Sequence, residues 1–199
     1  MNYHPPIDNV LVLASASPRR RQILADLGVS FSVQSADIDE RVNAGELAVD
    51  YVQRLAREKC QRVLSMSSEQ VTVLGSDTSV VIDGQILGKP KSEQQAVDML
   101  MSLSGNWHKV MTAVAVLNRD KLRQVVVCSD VEFCQLNEQM CRRYWSTGEP
   151  ADKAGSYAIQ GIGARFVRQI RGSYSAIVGL PVVETAELLS EFEIPIWKF

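Results

Sequence analysis

Three features of the 199-residue chain predict an α/β fold. Short apolar runs with strand character recur, Val10 to Leu13, Val71 to Leu74 and Val110 to Leu117 among them. Between them lie stretches whose apolar residues return with the 3.6-residue period of a helix. Hairpin signals, Asp83-Gly84 and the polar turn Asn118 to Lys121, fold strands back on their neighbours.

Val10 to Leu13 reads as a buried strand. Ser17 then suits a helix N-cap and Pro18 the first helical position, where its missing N–H costs nothing. Ile23, Leu24 and Leu27 form the apolar stripe of that helix, and Gly28 suits its C′ end. Phe31 and Val33 alternate with polar residues as a second strand, which runs into the acidic turn Asp37 to Arg41. The longest helix is expected over about 46–64, with Val52, Leu55, Ala56 and Val63 on one face. Val71 to Gly75 and Val80 to Ile82 follow as β-rich runs, and Gln85 to Leu87 returns across the Asp83-Gly84 turn. Ser92-x-x-Gln95 is a capping-box pattern opening a helix carried by Ala96, Leu100 and Leu103.

Val110 to Leu117 and Leu122 to Leu136 read as a long antiparallel hairpin, and Asn137 caps a helix through Tyr144 and Trp145 that closes at Gly148. Glycines punctuate Asp152 to Gly163 densely enough to suggest close backbone approach, to a ligand or to another strand. Ala164 to Ile170 and Tyr174 to Val178 read as strands. A final helix from Pro181 uses Val182, Ala186 and Leu189. No linker, low-complexity tract or internal repeat stands out.

Hydrophobic residues make up 46% and charged residues 22%, an ordinary globular balance, and the formal net charge is -2. That charge argues against a broad basic surface and so against a nucleic-acid partner. Cys60, Cys128, Cys134 and Cys141 contain no C-x-x-C, and His4 and His108 are the only histidines. Reduced cysteines packed as small hydrophobes are therefore expected, not a zinc site. Met1 to Asn9 is polar and lacks the basic-then-apolar order of a signal peptide. No apolar run approaches the roughly 20 residues of a membrane span, so a cytoplasmic protein without a membrane partner is expected.

Several residues are out of place for purely structural parts. Arg19 and Arg20 fall in the first turn of a helix, where cations oppose the dipole. A nearby anion would resolve that conflict, and guanidinium forks suit phosphate. Lys59 lies on the apolar face of the longest helix, at +4 from Leu55, and either snorkels to the surface or reaches an anion. Asp77, between two β-rich runs, either caps a turn or acts as metal ligand or general base. Glu40 belongs to an acidic turn that taken alone reads as a solvated loop, or that holds a hard cation. Lys89 leaves the hairpin in the extended conformation that Pro90 imposes. Together these cations and two carboxylates suit a polyphosphate held with a divalent metal. No G-x-x-x-x-G-K-[ST] is present, which argues against a P-loop. The residues alone do not say which reaction follows.

Four motifs, Ser15-x-Ser17-Pro18-Arg19-Arg20, Leu74-Gly75-Ser76-Asp77-Thr78, Gly88-Lys89-Pro90 and Asp152-Lys153-Ala154-Gly155, closely resemble in this order the Maf family of nucleoside-triphosphate pyrophosphatases. The likeness runs from about 11 to 192. It implies one bilobed α/β domain over 1–199, with an elongated mixed central sheet flanked by helices and two lobes around a cleft. Such proteins are similar in fold to inosine-triphosphate pyrophosphatases and are commonly homodimers. The resemblance further implies cleavage between the α- and β-phosphates of a nucleoside triphosphate. Asp77 would accept a proton and contact a metal, and Glu40 would help hold Mg²⁺ or Mn²⁺. Ser15, Arg19, Arg20, Lys59 and Lys89 would bind the triphosphate.

Tyr157 to Gly161 resembles the dTTP/UTP branch, in which a glutamine stands at the position of Gln160. A primary amide both donates to and accepts from a pyrimidine edge. Arg19 and Thr78 match the branch's other specificity positions, and Ala16 replaces a glycine often found between the serines. The alternatives are a 7-methyl-GTP pyrophosphatase, an enzyme for modified pyrimidine nucleotides, and a regulatory nucleotide-binding protein linked to septum formation.

Overall fold

Seven strands make one sheet, parallel at one end and antiparallel along the rest. The computed structural model describes residues 10–67 and 70–197, so the lead Met1 to Asn9, with His4, lies outside it. Strand β1 (Val10–Leu13) runs parallel to both β2 (Phe31–Val33) and β3 (Val71–Ile82). Antiparallel to β3 lies β5 (Trp107–Leu117), followed outward by β6 (Leu122–Phe133) and β7 (Val167–Arg171). The short β4 (Gln85–Leu87) folds back on the far end of β3. The flanking helices are α1 (Pro18–Asp26), α2 (Ala48–Met66), α3 (Glu93–Leu103), α4 (Glu138–Trp145), α5 (Tyr174–Val178) and α6 (Val182–Glu191).

The period of two along the strands sorts the core into layers. Val12, Val73, Ala113 and Ala115 face the α2 stripe of Val52, Ala56, Cys60 and Val63. Leu11, Leu13, Leu74, Val114 and Val116 face the other way, against Leu24 of α1 and Leu189 of α6. A third cluster at the antiparallel end joins Leu100 and Leu103 of α3 to Phe133, Tyr144, Tyr157 and Phe166. At Gly75 α2 lies close against the sheet. A Cβ there would lie 2.5 Å from the Ala56 carbonyl oxygen and 2.8 Å from Cys60 Sγ.

β3 continues unbroken through Ser76-Asp77-Thr78, where two separate runs were expected, because each of these polar side chains finds a partner described below. Its edge frames the cleft described below. β1 pairs with Val71 to Leu74 and β4 with Val80 to Ile82, so 75–79 have no strand beside them on that edge. The turn between β1 and α1 enters the gap.

At α1 the expected cap is present: Ser17 Oγ accepts the Arg20 N–H at 3.4 Å and Pro18 opens the helix. At α3, Ser92 Oγ accepts the Gln95 N–H at 3.3 Å, while the Gln95 side chain reaches back to the Lys91 N–H at 2.7 Å. Other expectations are corrected. Tyr174–Val178 is a helix, not a strand, because Ser173 Oγ caps it through the Ala176 N–H at 3.2 Å. So short an apolar run has the same look in either state. β6 ends at Phe133 instead of Leu136, since the Cys134 N–H turns to the Phe166 carbonyl and the Leu136 N–H to Ser104 Oγ. Residues 162–166 wind as 3₁₀ turns before β7, where a strand was expected from Ala164. The longest helix is displaced toward the C-terminus and spans Ala48–Met66. All four cysteines are free, with Cys60 and Cys141 buried, and no helix among the described residues is long and apolar enough to cross a membrane.

Candidate active site

A cleft of about 960 Å³ opens at the gap in the β3 edge, beyond the carboxyl end of β1. In open α/β sheets that end of the strands is where ligands settle. All nine residues singled out from the sequence, Ser15, Arg19, Arg20, Glu40, Lys59, Asp77, Thr78, Lys89 and Gln160, line this one cleft. A smaller hollow beside α2, lined by Asp39, Arg41, Arg54 and Glu58, contains none of them, and its charges pair among themselves or with Glu46.

The floor of the cleft is built by α2 and β3. Gly75 lets the α2 stripe lie against the strand, and this brings Lys59 over Asp77. The Lys59 ammonium sits 2.7 Å from Asp77 Oδ1 and 2.7 Å from Glu40 Oε1, with its side chain only 9% exposed. Lys59 therefore does not snorkel; the anion it reaches is a pair of the protein's own carboxylates. Of the acidic turn, Asp39 pairs with Arg41 in solvent, while Glu40 turns inward. The Tyr51 hydroxyl holds that turn by donating to the Glu40 carbonyl at 2.8 Å. Lys89, largely exposed, approaches Glu40 Oε2 at 3.4 Å.

Electrostatics separates the two carboxyls. Burial pushes Asp77 above the usual carboxylate range, with the charges of Lys59 and Arg20 pulling back. Burial also acts to raise Glu40, but the hydrogen bond and charge of Lys59, aided by Lys89, outweigh it and hold Glu40 low. A carboxylate raised by its surroundings, beside one kept ionised, is a pairing suited to proton transfer.

The wall above the floor comes from the α1 corner. Arg20 is committed to the protein: Nε donates to the Gly179 carbonyl at 2.8 Å, Nη2 to Thr78 Oγ1 at 3.0 Å and Nη1 to Ser15 Oγ at 3.4 Å. Ser76 Oγ donates to the same Gly179 carbonyl at 3.0 Å. Arg19, half-buried in the same turn, has no hydrogen-bond or ion-pair partner among the described residues. Gln160, exposed on the opposite side of the cleft, also makes no side-chain hydrogen bond among them.

Sequence reasoning left out Tyr51, Ser76, Gly179 and Lys153. Lys153 lies inside a quoted motif, lines the cleft and pairs with Asp152, so its signal was present. Ser76 likewise lies inside a quoted motif, whereas Gly179 acts through its backbone carbonyl, for which the sequence carries no mark. No group of three or more His, Cys, Asp or Glu placed to hold a metal occurs among the described residues.

A mixed sheet with a gap in one strand's edge, lined by cations over paired carboxylates, defines an α/β protein with a charged cleft at its strand ends. The family model described as "Maf-like protein" matches residues 10–192, and the chain belongs to the Maf family. It is 53% identical over 190 residues to a dTTP/UTP pyrophosphatase of Hahella chejuensis, covering 94% of each chain. It is 54% identical over 184 residues to a dTTP/UTP pyrophosphatase of Colwellia psychrerythraea, covering 90% of this chain and 87% of that one. Among solved structures it is similar to a nucleoside-triphosphatase / dITP/XTP pyrophosphatase from Mycobacterium abscessus, at 14% identity and a TM-score of 0.43, covering 92% of this chain and 93% of that one.

Proposed function

We propose that this chain hydrolyses dTTP and UTP to the nucleoside monophosphate and pyrophosphate. The observation that carries the reading is Lys59, buried and bridging Glu40 and Asp77 on the floor of a cleft with Arg19 and Lys89 at its sides. The relatives named dTTP/UTP pyrophosphatase support the choice of nucleotide.

In this reading Arg19 and Lys89 draw in the triphosphate, and Lys59 fixes the two carboxylates relative to it. Asp77 orients the attacking water and takes its proton, a task that a carboxyl raised by burial performs better than an ordinary aspartate. Arg20 keeps the α1 corner seated on Gly179 and Thr78 so that Arg19 meets the phosphates. Gln160 reads the pyrimidine edge.

A divalent cation, Mg²⁺ or Mn²⁺, belongs to the same proposal. Glu40 and Asp77 are hard oxygen donors that already converge on a single positive charge. One or two carboxylates completed by substrate phosphates is how Mg²⁺ is usually held, so the donor set fits. When bound, such a cation neutralises charge developing on the phosphates. A homodimer and a cytoplasmic location are part of the reading, and sedimentation of the purified protein tests the first.

The test is pyrophosphate release across a panel of nucleotides, with and without Mg²⁺ or Mn²⁺. Release from dTTP and UTP that depends on the cation is expected. Release from 7-methyl-GTP alone would overturn the nucleotide choice, and release from none would favour the regulatory role.

A further inference from the structure

We infer that Glu149, through Tyr144, is a positioning residue for nucleotide selection: it sets the backbone turn that presents Gln160 to the cleft. The inference rests on the reading of Gln160 as the group that meets the base, and it names what holds that group in place.

Gln160 is exposed, and no side-chain bond fixes it among the described residues, so its direction depends on the backbone on either side. That backbone has no strand or α-helix to order it. Tyr157 and Ile159 anchor its near side in the core, and the backbone hydrogen bonds around residue 160 lead to one buried tyrosine and one carboxylate. The Tyr144 hydroxyl accepts the Ala158 N–H at 3.1 Å and donates to Glu149 Oε1 at 2.7 Å. Glu149 then accepts the Ile162 N–H at Oε2 and the Gly163 N–H at Oε1, both at 2.9 Å. Residue 160 thus lies between pins at 158 and at 162 and 163, all leading to the same carboxylate.

Steric and electrostatic evidence supports a built feature. Gly161 has φ +86°, and a Cβ there would meet Glu149 Oε2. A Cβ on Gly163 would lie 2.5 Å from the Ala158 carbonyl oxygen and 2.5 Å from the Tyr144 hydroxyl. The chain passes so close to Tyr144 and Glu149 that only glycine fits. Burial works against the Glu149 charge, yet the two backbone N–H groups and the tyrosine overcome it and hold the carboxyl below its usual range. An ionised carboxylate only accepts, which is what three converging donors require. The substitution Glu149→Gln would turn an N–H₂ toward one of those donors.

The test compares Glu149→Gln, Tyr144→Phe, Gln160→Ala and the double variant Glu149→Gln/Gln160→Ala, with kcat and KM measured for dTTP and dCTP. In Glu149→Gln the ratio of kcat/KM for dTTP over dCTP should fall about tenfold, the scale of one misplaced hydrogen bond. The change should lie in KM for dTTP, with kcat within about twofold of the parent. The double variant should discriminate no worse than Gln160→Ala, since Glu149 acts through Gln160. Discrimination lost in Gln160→Ala but kept in Glu149→Gln overturns this inference alone. Discrimination kept in Gln160→Ala sinks the role of Gln160, and this inference with it. A uniform fall in kcat for both nucleotides, or additive effects in the double variant, also overturns it. Should Glu149→Gln fail to fold, Tyr144→Phe answers the same question, because it removes the pin on Ala158 and leaves the carboxylate in place.

Discussion

On the Lys59 side of the cleft, order comes from charge mounted on a helix and a strand; on the Gln160 side it comes from backbone N–H groups of a chain that forms neither strand nor α-helix. Lys59, Asp77 and Glu40 hold one another through ion pairs at 2.7 Å. Gln160 is held through its neighbours, by the core packing of Tyr157 and Ile159 and by the hydrogen bonds of residues 158, 162 and 163. The two sides should therefore fail differently: damage to the first removes chemistry, and damage to the second alters which nucleotide is preferred.

The hardest blow to the charged side is Asp77→Asn, which keeps shape and removes the charge and the proton acceptor. Turnover should drop by about 10³-fold, within the range assigned to general acid–base groups. Nucleotide affinity, read by calorimetry, should stay within a few-fold, because Arg19 and Lys89 are untouched. Near-parental turnover in that variant would remove Asp77 from the chemistry and erase the contrast between the two sides.

A pH-dependent test reaches the other side through His108, which lies beneath the loop. Its Nε2 is 2.8 Å from the Tyr157 hydroxyl, its Nδ1 is buried without a partner among the described residues, and its ring packs on Phe133. Burial pushes its pKa down to about 4, with Asp130 pulling weakly upward. The folded value lies below the unfolded one, so the unfolded chain binds the extra proton first. Stability from this group is complete above about pH 6.5 and is lost as pH falls toward 4, by about 3 kcal/mol in all. Urea unfolding between pH 7 and 4.5 should show this loss, and His108→Gln should flatten it. An unchanged slope in His108→Gln would clear the histidine.

Gly75→Ala strikes the packing that brings Lys59 to Asp77. Its Cβ would meet the Ala56 carbonyl oxygen, which belongs to backbone and cannot swing aside. Overpacking of this kind costs about 1–3 kcal/mol, to be read from the unfolding midpoint. If α2 shifts to make room, turnover should fall more than stability alone accounts for, since Lys59 rides on the same helix. A fully active Gly75→Ala would show that the charged side tolerates displacement and is less rigid than its ion pairs suggest.

The contrast also explains what the sequence could disclose. The α1 corner was legible because Ser17 and Pro18 carry their meaning locally, and the period put Lys59 on the buried stripe of α2. Its partners were not legible, since Glu40 arrives from a separate loop and Asp77 from a strand. The helix at Tyr174–Val178 looks like a strand in the sequence because five residues are too few to reveal a period, and its cap, Ser173, looks like an ordinary turn residue. Glu149 escaped notice for a different reason. Two of its three partners are backbone N–H groups, which every residue but proline possesses and which leave no trace in side-chain identity.

Thr78 should give the smallest effect, and it lies where the two sides meet. Thr112 Oγ1 donates its single proton to the Ala176 carbonyl at 2.7 Å, so the 3.0 Å contact between the two threonines must use the Thr78 proton. Thr78 Oγ1 is then free to accept from Arg20 Nη2 at 3.0 Å. The chain Arg20 to Thr78 to Thr112 to Ala176 runs one way and links α1, β3, β5 and α5. Thr78→Val keeps the shape and breaks this chain in the middle, while Arg20 retains Gly179 and Ser15 and Thr112 retains Ala176. The expected cost is about 1 kcal/mol in unfolding free energy, the worth of one hydrogen bond, with kcat within a few-fold. Thr78→Ser, which keeps the hydroxyl, should recover most of it. A loss of turnover as deep as that of Asp77→Asn would mean that Arg20 needs Thr78 in order to act on the substrate, and the boundary of the charged side would then extend across β3 to the Gly179 face.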